Sequence, residues 1–314
     1  MQTEGGPRHW YLKPRYLILI IILIALLIVS LVTYIIPAAP KTANQVRLDG
    51  TIAYFAHSYD PTTGLIPETP GGTTFWLYSD NYLAVLAVSR YDPGNQSTSS
   101  FASALDAALG GYVATLPPPL AQNQYTALNS TVASFGCSSI YGLSWSQGTQ
   151  PVSGNGSARL MTTANGQDQA CASKNYADLL LLQAIYQHRL GNSGQALNLY
   201  HQAESDFDGH GFADLAYNSA NSTSYHVYQT YKVALYVYAT YCLGQQASTS
   251  TLIPATSTLL YLQSNSTGGF IPGYAPNLTA LNAPPVTAGH GVNTETTALA
   301  ALALELMIKP SSSC

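Results

Sequence analysis

The chain has 314 residues, of which 46% are hydrophobic and 8% charged, and its formal net charge is −4. That apolar share fills a core and excludes a disordered chain. A charged share about a third of the usual one, with no basic stripe to meet phosphates, excludes a nucleic-acid-binding protein. Ser, Thr, Asn, Gln and Tyr are left to make the surface, which suits an extracytoplasmic setting.

The first predicted element is a membrane span. Residues 1–15 read as a cytoplasmic tail, with Arg8, Lys13 and Arg15 ahead of an apolar run from Tyr16 to Ile36. Its length suits a single transmembrane helix, residues 16–36. The positive residues before it place the N-terminus in the cytoplasm and everything after Pro37 outside. A cleaved signal peptide ending near Ala38-Ala39 is the competing reading, against which the run is longer than a signal core. The expected location is therefore the cell membrane, with residues 42–314 forming the extracytoplasmic domain.

From Thr42 onward, helix-period runs alternate with polar loops: Thr42–Ser58, Asn81–Arg90, Phe101–Thr115, Asn175–Leu190, Ser193–Phe207, Tyr225–Leu243, Thr251–Ser264 and Asn293–Lys309. A loop insertion rich in Gly, Ser, Asn and Gln is expected over 116–173. Gly191 and Gly244 each follow Leu where a helix C-cap is expected. The turns are copies of one another: Gly64-Leu65-Ile66-Pro67-Glu68, Gly211-Phe212-Ala213-Asp214 and Gly269-Phe270-Ile271-Pro272-Gly273 each set a large apolar residue after Gly. Recurrence of this kind signals stacked supersecondary units. Here the unit is a helical hairpin whose polar loop follows its first helix, so the loops and the starts of the second helices, near Asp80, Asn175, Tyr228 and Glu295, gather at one end. The expected fold class is all-α, an N-terminal transmembrane helix followed by an α/α-toroid-like array of about four hairpins.

This pattern resembles the α/α-toroid folds, in particular the six-hairpin glycosidase-like superfamily. The stretch Tyr261-Leu262-Gln263-Ser264 through Gly268-Gly269-Phe270, followed by Thr296-Thr297-Ala298-Leu299-Ala300, is also similar to the repeat of terpenoid cyclases and prenyltransferases. The chain carries fewer hairpins than the full toroids, which implies an open or incomplete ring. In the glycosidase-like toroids, acids in the polar loops and at inner-helix starts flank the scissile sugar bond. The resemblance thus implies catalytic roles for Glu68, Asp80, Asp214 and Glu295, with one protonating the leaving oxygen and another activating water or attacking the anomeric carbon. A bland role competes: Asp80, Asp178 and Glu295 also suit the electropositive first turns of helices.

Sugar rings stack on aromatic faces while their hydroxyls meet polar side chains. Trp76, Tyr78, Asn81, Tyr82, Asn175, Tyr228 and Tyr274 are the candidate substrate-binding set, against the alternative that such aromatics fill spaces between helices. No cofactor is expected, although Asp206, Asp208 and Asp214 around Gly209 admit a second reading as calcium ligands. His57, His210, His226 and His290 lack the helical pair spacing of a zinc site. There is no Gly-X-Ser-X-Gly elbow.

Cys137, Cys171, Cys242 and Cys314 all follow the apolar run, and sequence order suggests bridges Cys137–Cys171 and Cys242–Cys314. Six sequons, at Asn95, Asn129, Asn155, Asn221, Asn265 and Asn277, are candidate glycosylation sites. The expected function is a glycosylated surface protein that hydrolyses or binds glycans. The rival is a non-catalytic component of the cell envelope or a membrane complex, using the domain as an interaction platform.

Overall fold

The structure is a computed structural model and describes residues 21–26, 41–73, 75–92, 95–114, 124–130, 149–151, 159–161, 173–222, 224–245, 249–277, 284–288, 291–310 and 314. The first half contains helix α1 (Ala43–Ser58), strand β1 (Phe75–Leu77), helices α2 (Tyr78–Tyr91) and α3 (Gln96–Val113), a 3-10 helix (Gln124–Leu128), and strands β2 (Thr149–Pro151) and β3 (Arg159–Met161). The second half contains helices α4 (Ala177–Arg189), α5 (Ser193–Ser205) and α6 (Leu215–Asn218), then strand β4 (Tyr228–Gln229) running into helix α7 (Thr230–Cys242). Helix α8 (Thr249–Tyr261), strands β5 (Gly273–Ala275) and β6 (Val286–Ala288), and helix α9 (Thr294–Ile308) complete it.

A helix that is apolar on every side has to be enclosed, whereas one with a single apolar stripe lies at the surface. Both kinds occur here. Thr230–Thr240 of α7 are all buried, and so is α9 from Thr296 to Leu306. Helix α1 buries Leu48, Thr51, Tyr54 and Phe55, and α5 buries Ala196, Tyr200 and Ala203, each a stripe at helical spacing. Accordingly α2, α4, α7 and α9 lie inside, with α9 against α2 and α7, and α7 against α4. The 3-10 helix Gln124–Leu128 touches both α4 and α2. Outside them, α1 covers α9, α3 covers α2, α5 covers α4, and α8 covers α7.

The repeated turns fasten the starts of the inner helices. Leu65, Phe212 and Phe270, each following Gly, are buried and pair as isolated bridges with Asp60, Phe207 and Gln263. Beyond the bridge, each turn grips two inner helices. Asn81 Oδ1 of α2 accepts from Ile66 N at 2.8 Å while Glu68 O accepts from Thr294 N of α9 at 2.8 Å. Phe270 N donates to Thr297 Oγ1 of α9 at 2.9 Å, and Pro272 O accepts from Thr230 N of α7 at 2.9 Å. Asp214 reaches Lys232 of α7 and accepts from Ala177 N of α4 at 3.0 Å. The acceptors satisfy N–H groups that a helix start leaves open.

The expected fold class needs correction. Among the described residues no helix is long and apolar enough to cross a membrane. The transmembrane helix expected over Tyr16–Ile36 is not supported: residues 21–26 are helical, and the rest of that run lies outside the described residues. Nor is the chain all-α. Two three-stranded sheets, ordered β1-β3-β2 and β4-β5-β6, sit among the helices, so the all-α, toroid-like class gives way to a mostly helical domain with two small sheets. One local cause is visible at Tyr225–Leu243, read as one helix. His226 takes a positive φ of 56°, which breaks the helix, and Tyr228 pairs with Tyr274 before α7 begins at Thr230.

Candidate functional site

Each inner helix places one charged residue in its first turn: Asp80 in α2, Asp178 in α4, Lys232 in α7 and Glu295 in α9. A carboxylate there is favoured by the positive helix end, whereas a lysine is not. Lys232 is nonetheless buried, because two carboxylates hold it. Its Nζ lies 2.5 Å from Asp214 Oδ2 and 3.5 Å from Asp178 Oδ1. Tyr231 donates its hydroxyl to Asp178 Oδ2 at 3.3 Å. Asp214 also caps α6, its Oδ1 accepting from Ala216 N at 3.0 Å. In this half of the site Lys232 offsets one of the two carboxylate charges.

The other half holds three carboxyls, those of Asp80, Glu295 and Glu68. Asp80 is 0% exposed; Ser79 donates to its Oδ1 at 3.1 Å, and its Oδ2, buried, has no donor. Burial pushes the Asp80 carboxyl well above the usual carboxylate range, and the charges of Glu295 and Glu68 push it further. Glu295 is partly buried and accepts from the Tyr125 hydroxyl at 2.5 Å. Burial raises it to about 7, with Glu68 and Asp178 adding to the rise and the Tyr125 hydrogen bond opposing it. Glu68 keeps its solvent contact at the rim, yet the protein crowded about it raises its carboxyl too. Buried carboxyls whose charges raise one another ionise in linked steps, and each holds its proton more tightly than an isolated acid does. The indole N–H of Trp76, on the strand leading into α2, is likewise buried without an acceptor.

Of the four carboxylates predicted to do chemistry, Glu68, Asp80 and Glu295 therefore act on one another, and Asp214 belongs to the lysine cluster. The predicted sugar-binding residues divide differently. Asn81 is fully buried and spends its amide on Ile66 N, Ile66 O and Leu77 O. Tyr228 and Tyr274 pack at 5.4 Å, with Tyr217 stacked on Tyr228 at 4.4 Å. Their hydroxyls donate to Asp208 Oδ2 at 2.5 Å and His210 O at 2.7 Å, which ties down the turn at 208–211. Tyr78 is buried, Tyr82 donates to Asn129 Oδ1 at 2.5 Å, and Asn175 is exposed. Only Trp76 in this set combines burial with an unanswered polar atom.

Asp208 Oδ1 accepts from His210 N and Gly211 N, and Asp214 is taken by Lys232. Asp206 is partly buried, and among the described residues no group of three His, Cys, Asp or Glu is placed to hold a metal ion. Cys242 and Cys314 form a disulfide; Cys137, Cys171 and Asn155 lie outside the described residues. Asn95, Asn129, Asn221 and Asn265 are exposed, and Asn277 is partly buried.

Sequence reasoning missed two partners. Lys232 had a signal, a lone charge in the apolar run Tyr231–Tyr238. Tyr125 had none, because it falls in a stretch read as a loop insertion. Compared with known proteins, the chain matches no family model, no curated protein and no solved structure.

Proposed function

We propose that the domain is an exported, glycan-hydrolysing protein whose acid and base are Asp80 and Glu295. Asp80 carries the reading. It is a fully buried carboxyl with one oxygen lacking a donor, set beside two further carboxyls that raise its hold on a proton. A general acid works best when its proton is held near the operating pH. Asp80 gives that proton to the bridging oxygen as the glycosidic C–O bond breaks. A water adds its hydroxyl to the anomeric carbon and passes its proton to Glu295, which Tyr125 keeps oriented; in a retaining variant Glu295 attacks first and water follows. Export is supported by the Cys242–Cys314 disulfide, which persists in oxidising compartments, and by the exposed sequon asparagines at 95, 129, 221 and 265.

The test is release of reducing ends from a glycan panel by the purified protein, with anomer-resolved NMR of the first product. Asp80→Asn and Glu295→Gln should each lower kcat by about a hundredfold or more, while thermal unfolding stays cooperative. If no glycan is cut, or neither variant alters turnover, the pair is structural. The domain then serves as a binding platform for a glycan or an envelope protein.

A further inference from the structure

Lys232 is a charged residue in a stretch of α7, Thr230–Thr240, that is buried throughout. Its side chain is 1% exposed, and those of Asp178 and Asp214 are 1% and 0% exposed. An ion pair so placed has lost most of the solvation that favours separated charges. Burial therefore narrows the gap between it and its neutral form, an amine beside a carboxylic acid. The two groups are already in contact, with Lys232 Nζ 2.5 Å from Asp214 Oδ2. Folding has thus met the entropy of bringing amine and acid together. The other oxygen of Asp214, Oδ1, accepts from Ala216 N at 3.0 Å and from Tyr217 N at 3.4 Å. Backbone donors so face the oxygen on which negative charge gathers when the carboxyl carbon is attacked. Asp178 Oδ1 stands 3.5 Å from Nζ, and the Tyr231 hydroxyl donates to its other oxygen. A second carboxylate in that position takes a proton from the attacking nitrogen and hands it on.

We propose that Lys232 and Asp214 join in an intramolecular isopeptide bond, with Asp178 as the proton carrier. Nζ first gives one proton to Asp214 Oδ2, and its lone pair then forms a bond to Asp214 Cγ. Asp178 Oδ1 takes a second proton from Nζ and passes it to Oδ2. The Cγ–Oδ2 bond breaks, and Oδ2 leaves as water with both protons. Nζ keeps its third hydrogen as the amide N–H, and Asp178 ends ionised, as it began. Ala177 N, which donates to Oδ2, is left facing that water. Oδ1 becomes the amide oxygen and keeps its bonds to Ala216 and Tyr217 N–H. The bond ties the start of α7 to a residue 18 positions earlier, as the Cys242–Cys314 disulfide ties its end. Unlike the disulfide, it survives reduction.

The test is a peptide map by mass spectrometry of the full-length protein, reduced and denatured. Trypsin should fail to cut after Lys232, because its amine is acylated. Chymotrypsin cuts at Tyr217, Tyr225 and Tyr228, between the two residues. It should release a branched peptide joining Asp214 to Lys232, lighter by one water than its two parts. Lys232→Arg keeps the cation and should yield linear peptides alone. Asp178→Asn, close to the native side chain in size, should lower the branched fraction by at least about tenfold, and Asp178→Glu should restore it. Linear peptides and a cleavable Lys232 in the wild-type protein overturn the inference, and so does a branch from Lys232 to Asp178. Loss of water without a branch assigns it to a succinimide, for which Asp208-Gly209 is the ready site, and also overturns the inference. An undiminished branch in Asp178→Asn keeps the bond and overturns the role of Asp178 in forming it.

Discussion

Carboxyl groups forced together out of water bind protons more tightly than free ones, and Glu295 with Asp80 does so here. The consequence for stability has a definite sign. The folded state binds more protons than the unfolded one between the ordinary value of 4.5 and the raised value of about 7 for Glu295. Stability is therefore full below about pH 4.5 and is lost as pH rises through about 7. We expect the unfolding free energy to fall by on the order of 2 kcal/mol between pH 5 and pH 8, and Glu295→Gln to flatten that slope in urea titrations. Lys232 behaves oppositely under mutation. Lys232→Met leaves Asp178 and Asp214 buried without their cation and should cost about 3–5 kcal/mol, read as a lower urea midpoint. Asp80 and Glu295 were legible as acids at helix starts, and Glu68 as an acid in a polar loop. Their mutual coupling was not, because it depends on which helices become neighbours, and Tyr125 comes from a segment with no periodicity to place it.

At the scale of elements, the decisive parts are the short turns, since each one joins two inner helices that touch through few polar groups of their own. Asn81 shows the arrangement most clearly: two hydrogen bonds between its amide and Ile66 hold the 66–68 turn beside α2, and a third reaches Leu77 O. Asn81→Ala would orphan both backbone groups of Ile66, and we expect a loss of about 2–4 kcal/mol together with faster hydrogen exchange at Ile66. Gly211 has a steric role. A Cβ there would lie 2.5 Å from the Tyr228 ring and 2.6 Å from the Tyr274 hydroxyl. Gly211→Ala should cost about 1–3 kcal/mol, measured by thermal unfolding. The helical runs and their Gly caps were readable, as Gly191 and Gly244 at φ of 81° and 62° confirm. The strands were not: β4 is two residues long and exists only because β5 lies beside it.

For the whole molecule, the C-terminus is tied back onto the end of α7. The Cys242–Cys314 disulfide spans 72 residues, and Cys314 O accepts from Arg189 of α4. Closing a loop of that length restricts the unfolded chain by an amount worth about 4 kcal/mol. Reduction, or Cys242→Ser, should therefore lower the melting temperature by several degrees, on the order of 5 °C or more. The same tie acts on the far end of the 3-10 helix, since Arg189 also donates to Leu128 O.

The packing of α1 on α9, with Thr294 donating to Pro67 O across 227 residues, sets a timetable for biosynthesis. At about 5–20 residues per second, the ribosome takes roughly 10–45 s to make the intervening chain. During that interval Tyr54 and Phe55 on α1 have no α9 to cover them. The core around α1 therefore closes only after α9 has been made.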